Sequence, residues 1–142
     1  MRLFGYSLGG HAAVELARLL GQRGVGVDLL IAIDPVVLSG APLVIPLNVR
    51  RAVSWYQRNG GRLFFLRGRT GCGVPITAED PAATLVENSD LSRLPSGLPT
   101  MHEDMPFLVS RRLLAEFDTA MPTALDAKSE VALGVAASRG AG

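Results

Sequence analysis

Strand-like and helix-like patterns alternate from the first residues onward. Leu3-Phe4 closes a short apolar run, and the turn Gly5-Tyr6-Ser7-Leu8-Gly9-Gly10 follows at once. Between Ala12 and Arg23 the residues Ala13, Leu16, Ala17 and Leu20 recur at helical spacing, with Gly24 placed to end the helix. Leu29 to Ile33 is a continuous apolar run of strand length, with Asp34-Pro35 directly behind it. A strand apolar on both faces suits a parallel sheet covered by helices. The order strand, tight turn, helix, strand predicts a βαβ unit.

A proline-rich loop runs from Pro35 to Pro46. Asn48 is expected to cap a helix with Val49, Ala52, Val53 and Tyr56 on its apolar face and Gly60-Gly61 as its stop. Leu63 to Leu66 reads as the next buried strand. From Arg67 to Pro106 the chain is rich in Gly, Pro, Ser, Thr and Asp, and only Thr84 to Val86 suggests a strand. A stretch of that kind is usually functional or mobile, and it contains His102. Phe107 to Phe117 predicts a last helix packed through Phe107, Leu114 and Phe117. The expected organisation is an α/β domain over residues 1–118, a mostly parallel sheet in a three-layer sandwich. An Ala-, Gly- and Ser-rich flexible tail over 119–142 follows it. No internal repeat is visible.

Composition narrows the functions. With 142 residues, 48% of them hydrophobic, the chain can fill one real core. Lys+Arg 14 against Asp+Glu 13 leaves a net charge of +1, without the one-sided basic field that nucleic acid or an anionic membrane would require. The single cysteine, Cys72, excludes an intramolecular disulfide and a thiolate metal cluster, and it reads as a loop residue. The most apolar stretch, Leu29 to Leu47, holds Asp34 and is broken by Pro35, Pro42 and Pro46, so it predicts no membrane-spanning helix. No signal peptide is visible at the start, which tilts the expected location toward the cytoplasm.

The candidate chemistry centres on Gly5-Tyr6-Ser7-Leu8-Gly9, which fits G-x-S-x-G in the right context: apolar residues before, a helix after, a buried strand beyond. In such an elbow the serine stands above the sheet edge, and the glycines remove side chains that would collide in the turn. A serine hydroxyl needs a base to take its proton, and the base needs a carboxylate to orient it. Of the two histidines, His11 falls in the first turn of the helix and points with it. His102 comes late, after the acidic candidates, in the order Ser, Asp, His found in folds of this kind. Asp34 sits at the carboxyl end of the strand after the nucleophile helix, where catalytic groups of parallel sheets collect. Asp80 and Asp90 are rivals; Asp34 is favoured because a strand tip fixes it. Arg67, Arg69 and Arg50-Arg51 read as solvated, and Trp55-Tyr56 as packing or acyl-pocket residues.

These residues carry a resemblance. Gly5 to Gly10, the helix behind them and Leu30-Ile31-Ala32-Ile33-Asp34-Pro35 resemble the lipase and thioesterase branches of the α/β-hydrolase superfamily. Asp34 lies 27 residues beyond Ser7, a separation similar to the thioesterase pattern. Asn48 to Gln57, and the loop ending in His102-Glu103-Asp104-Met105, are similar to small bacterial lipase-like proteins. The resemblance implies acyl transfer to water by Ser7, Asp34 and His102 with no cofactor and no metal. It also implies the Leu8 backbone N–H as an oxyanion donor and an acyl ester or thioester, small or lipid-like, as substrate.

One departure shapes a further expectation. Only four residues precede Gly5, whereas the family places several strands and an oxyanion-hole loop there. The chain is therefore expected to be the C-terminal portion of a hydrolase, with coding sequence continuing upstream. The alternatives are a homodimer pairing exposed strand edges, or a non-catalytic fragment or interaction module with an incomplete oxyanion hole.

Overall fold

The computed structural model describes residues 1–39, 41–61 and 75–119. Along them run β1 (Arg2–Tyr6), α1 (Leu8–Gly21), β2 (Leu29–Ile33), β3 (Val44–Ile45), β4 (Arg51–Tyr56), β5 (Thr77–Ala78), β6 (Leu85–Asp90), a 3₁₀ turn (His102–Asp104) and α2 (Met105–Thr119). Strands β1, β2, β4 and β6 form one sheet in the order β1-β2-β4-β6, every pair parallel. Strands β3 and β5 make a separate short parallel pair. The protein is thus α/β with a parallel sheet. It divides into two compact units, Met1–Val109 and Ser110–Gly142. The sheet, α1 and the start of α2 belong to the first unit.

The core follows from the apolar runs. All five residues of β2 are buried, as a strand between two neighbours under helical cover requires. On one face Leu30, Ala32 and Ala52 join Val14 and Ala17 of α1, together with Val27, Val49 and Ile76. The buried stripe of α1 is Gly10, Ala13, Val14 and Ala17; Leu16, placed on that face by its spacing, is 45% exposed. Gly24 adopts a positive φ of 74° just beyond the helix, the left-handed geometry that lets glycine end it.

The helix expected between the Asn48 cap and the Gly60-Gly61 stop is instead strand β4. Val49, Ala52, Val53 and Tyr56 fit helical spacing, but residues 52–56 are buried without exception. A central strand buried on both faces shows no alternation, so periodicity cannot separate it from a buried helix. Its valine, tryptophan and tyrosine favour the pleated backbone. Asn48 caps no helix there. Its Nδ2 donates to the carbonyls of Ala17 and Val25, both at 2.9 Å, tying the end of α1 to the start of β4. The strand expected near Thr84 to Val86 runs farther, to Asp90. Arg51 is not merely solvated, since its guanidinium forks onto Glu87 at 2.7 and 3.2 Å.

Helix α2 matches its expected span but not its expected packing. Met105 and Val109, one turn apart, are fully buried, whereas Phe107 is 85% exposed. The expected strand Leu63 to Leu66, Cys72, Arg67, Arg69 and the tail beyond Thr119 lie outside the described residues. Among the described residues no helix is long and apolar enough to cross a membrane.

Candidate functional site

Register places the site. Tyr6 of β1 is level with Ile33 of β2, which is level with Trp55 of β4. The next residues, Ser7 and Asp34, therefore leave adjacent strands at the same height, on the carboxyl rim. Both turn sharply there, with φ of 59° and 40°, the two positive-φ non-glycine residues of the described chain. Such backbone costs about 1–3 kcal/mol per residue and persists only where neighbours hold it. Here the Ser7 N–H donates to the Ile33 carbonyl at 2.9 Å and the Asp34 N–H to the Trp55 carbonyl at 2.7 Å. The Ser7 carbonyl in turn accepts from Gly10 and Val36.

The elbow's need for glycine falls on Gly5 and Gly10. A Cβ on Gly5 would sit 2.0 Å from the Gly9 carbonyl oxygen, and one on Gly10 would press on Pro35 at 3.0 Å. Gly9, expected to be needed for clearance, would place a Cβ in open space. Ser7 is the N-cap of α1, so Leu8 is the first helical residue. Its N–H is one of the donors that no carbonyl within the helix can satisfy.

His102 meets both partners. Its Nε2 lies 2.9 Å from Ser7 Oγ and its Nδ1 lies 2.7 Å from Asp34 Oδ2. Asp34 is 0% and His102 3% exposed, so the bond between them acts with little competition from water, while the bond to Ser7 is part-buried. A carboxylate only accepts, which puts the ring proton on Nδ1 and leaves Nε2 to accept from the serine hydroxyl. The other candidates stand apart. His11 faces Glu15 along α1, at 3.9 Å. Exposed Asp80 accepts from the Ala82 N–H at 2.9 Å. Asp90 is held below its ordinary pKa by the Ser92 hydroxyl, with Arg58 adding to the effect.

Residues that the pattern of the chain did not single out hold this arrangement together. Gln57, fully buried just past β4, donates its backbone N–H to Asp34 Oδ1 at 3.2 Å and its Nε2 to Oδ2 at 2.6 Å. Its own Oε1 accepts from the Asn59 N–H at 2.7 Å. Asn59 Nδ2 then donates to the carbonyls of Ser92 and Thr100, at 2.6 and 2.8 Å, clamping both ends of the loop before His102. The Gly60 carbonyl accepts the His102 N–H at 2.9 Å. The tip of β4 thus grips the acid and the loop that carries the imidazole. Reading 49–56 as a strand would have placed Gln57 on the same rim as Ser7 and Asp34, the one signal that could have found it.

Were Asp34 to orient His102 for catalysis, Gln57→Leu should lower kcat on p-nitrophenyl acetate by about 10–100-fold with KM within about two-fold. It should also cost about 1–3 kcal/mol of stability, because the Asn59 N–H loses its acceptor and Asp34 loses a donor. Kinetics and chemical denaturation measure the two effects. An unchanged kcat would show that the backbone donor alone holds the acid.

A cavity of about 330 Å³ is lined by Leu94, Thr100, Asp104, Phe107 and Leu108. The buried Thr100 hydroxyl has no partner among the described residues. Among those residues no three His, Cys, Asp or Glu side chains are grouped to hold a metal ion.

A strained turn joining a parallel strand to a helix, with an acid on the neighbouring strand tip, is similar to the nucleophile elbow of the α/β-hydrolase type of fold. A family model described as Thioesterase domain matches residues 1–40, from β1 through the loop after Asp34, and over that stretch the chain is similar to α/β-hydrolase-like thioesterases. That match supports a likeness to ester or thioester hydrolases. No curated protein and no solved structure gives a significant match.

Proposed function

We propose that the chain is a serine hydrolase that cleaves an ester or thioester through an acyl-enzyme on Ser7, with His102 as base and Asp34 as its orienting acid. The observation that carries this reading is the continuous relay from Ser7 Oγ to His102 Nε2 at 2.9 Å and from His102 Nδ1 to Asp34 Oδ2 at 2.7 Å. Ser7 Oγ attacks the substrate carbonyl carbon as His102 Nε2 takes the hydroxyl proton. The imidazolium formed is stabilised by the Asp34 carboxylate, and the carbonyl oxygen, now anionic, turns toward the Leu8 N–H. Collapse expels the alcohol or thiol, which receives the proton from His102. Water then attacks the acyl-Ser7 carbonyl by the same base, releasing the carboxylic acid and restoring the hydroxyl.

The cavity bordered by Leu94, Phe107 and Leu108 supports an apolar acyl or leaving group. Two Cα steps of 3.8 Å keep its Thr100 within about 7.6 Å of the His102 Cα. A fluorophosphonate probe tests the reading without knowledge of the natural substrate. The expected result is one adduct per chain, mapped by peptide mass to Ser7 and lost in His102→Gln. A folded chain that takes up no probe would favour the non-catalytic alternative.

A further inference from the structure

Two hydrogen bonds in the plane of an imidazole fix its direction within that plane but leave the ring free to tilt about the line joining its partners. At His102 those bonds run to Asp34 and Ser7. Tilt must be set by whatever lies on the ring face. Tyr6 lies there, its ring centroid 4.7 Å from that of His102 and the planes 23° apart. The same side chain donates its hydroxyl to the His102 backbone carbonyl at 3.0 Å. Tyr6 is the last residue of β1, one bond before the nucleophile, so strand pairing with Ile33 fixes its backbone. One aromatic residue on a rigid strand thus contacts both the face of the imidazole and the main chain behind it.

We infer that Tyr6 is a positioning residue for His102, holding the imidazole at the tilt that keeps Nε2 on Ser7 Oγ as the proton is transferred. The inference rests on the reading of Ser7 as nucleophile and His102 as base. Its physical basis is twofold. The hydroxyl bond prevents the turn at His102–Asp104 from rolling away from the sheet. The ring face restricts tilt and attracts the imidazolium formed when Ser7 gives up its proton, as aromatic faces attract cations. In G-x-S-x-G the residue before serine is open to any side chain, so the pattern alone assigns Tyr6 nothing; its role comes from the stacking geometry.

Tyr6→Phe keeps the ring and removes the hydroxyl; Tyr6→Leu removes both. The measurement is the second-order rate of fluorophosphonate labelling. In that step Ser7 Oγ bonds to phosphorus, fluoride departs with the P–F electron pair, and the hydroxyl proton passes to His102 Nε2. Steady-state kinetics on p-nitrophenyl acetate and thermal melting accompany it. The phenylalanine variant should label about 2–10-fold more slowly, the loss of one hydrogen bond. The leucine variant should be slower still, by about 100-fold in all, as both contacts go. The loss should appear in kcat, with KM within about two-fold and melting close to wild type for the phenylalanine chain. Equal labelling by leucine and phenylalanine variants would overturn the role of the ring, and a KM rise at constant kcat would make Tyr6 a substrate contact instead. If the leucine chain does not fold, a phenylalanine chain labelling at the wild-type rate overturns the inference by itself. A wild-type chain that resists the probe would remove the Ser7 reading and Tyr6's role with it, whereas a labelled wild type with insensitive Tyr6 variants removes only the latter.

Discussion

Ser7→Ala is expected to lower turnover of short p-nitrophenyl esters by about 10⁴-fold or more while the chain still folds. The substitution removes one oxygen, and the surrounding structure makes little use of that oxygen for stability. The elbow is held by main-chain bonds, Ser7 N–H to Ile33 and Val36 N–H to the Ser7 carbonyl, which alanine retains. As N-cap of α1, Ser7 makes no side-chain capping bond. Its Oγ has instead a 2.9 Å contact with His102 Nε2, on the side from which a base would take its proton. Alanine carries the same Cβ as serine at φ 59°, so the strain of the turn is kept and stability changes little beyond the lost contact with His102. Melting temperature and esterase assays on one preparation separate the two effects. Activity within ten-fold of wild type in a folded Ser7→Ala chain would remove Ser7 from the mechanism.

The features legible in the sequence are those whose chemistry is local. Gly5 is demanded by a carbonyl 2.0 Å from where its Cβ would be, and a glycine in that place before a serine is visible in the chain itself. Leu29 to Ile33 could be read as a buried strand because five consecutive apolar residues end at an acid and a proline. The order Ser7, Asp34, His102 points to three side chains that hydrogen bonds join in the structure. Less could be read where the decisive contacts are distant along the chain. β4 has helical spacing by coincidence, so nothing in the pattern marks Gln57 as a residue of the sheet rim. The loop before His102 reads as irregular, yet an isolated pairing of Arg93 with Pro99 and the grip of Asn59 on Ser92 and Thr100 close it into a defined shape. Those bonds join residues more than thirty positions apart in the case of Asn59, and no window of sequence contains both ends. The exposed Phe107 has a similar cause: helical spacing lets several faces of α2 look apolar, and only the tertiary fold decides that Met105 and Val109 are the ones buried.

Asp34→Asn should show how far the acid acts through the tautomer of His102. Asp34 Oδ2 receives two donors, Gln57 Nε2 at 2.6 Å and His102 Nδ1 at 2.7 Å, and Oδ1 receives the Gln57 backbone N–H at 3.2 Å. An asparagine must replace one of these oxygens by an NH₂ group, and either choice sets donor against donor in a site that is 0% exposed. With the NH₂ at the Oδ1 position, it meets the Gln57 backbone N–H, at a cost of about 1–3 kcal/mol. With the NH₂ at the Oδ2 position, it meets Gln57 Nε2 and drives the imidazole proton from Nδ1 to Nε2. That tautomer points an N–H at Ser7 Oγ and has no lone pair to accept the serine proton. The expected outcome is a fall in kcat on the order of 10⁴, as for other triads whose acid becomes an amide, in a chain destabilised by about 1–3 kcal/mol. Asp90→Asn provides the control. Its carboxylate serves Ser92 and Arg58, so activity there should stay within about three-fold of wild type. Steady-state kinetics on the two variants, with ¹⁵N spectra of the His102 ring to read the tautomer directly, check the argument. An Asp34→Asn chain that keeps wild-type activity, or an Asp90→Asn chain that loses it, would mean that His102 takes its orientation from another acid.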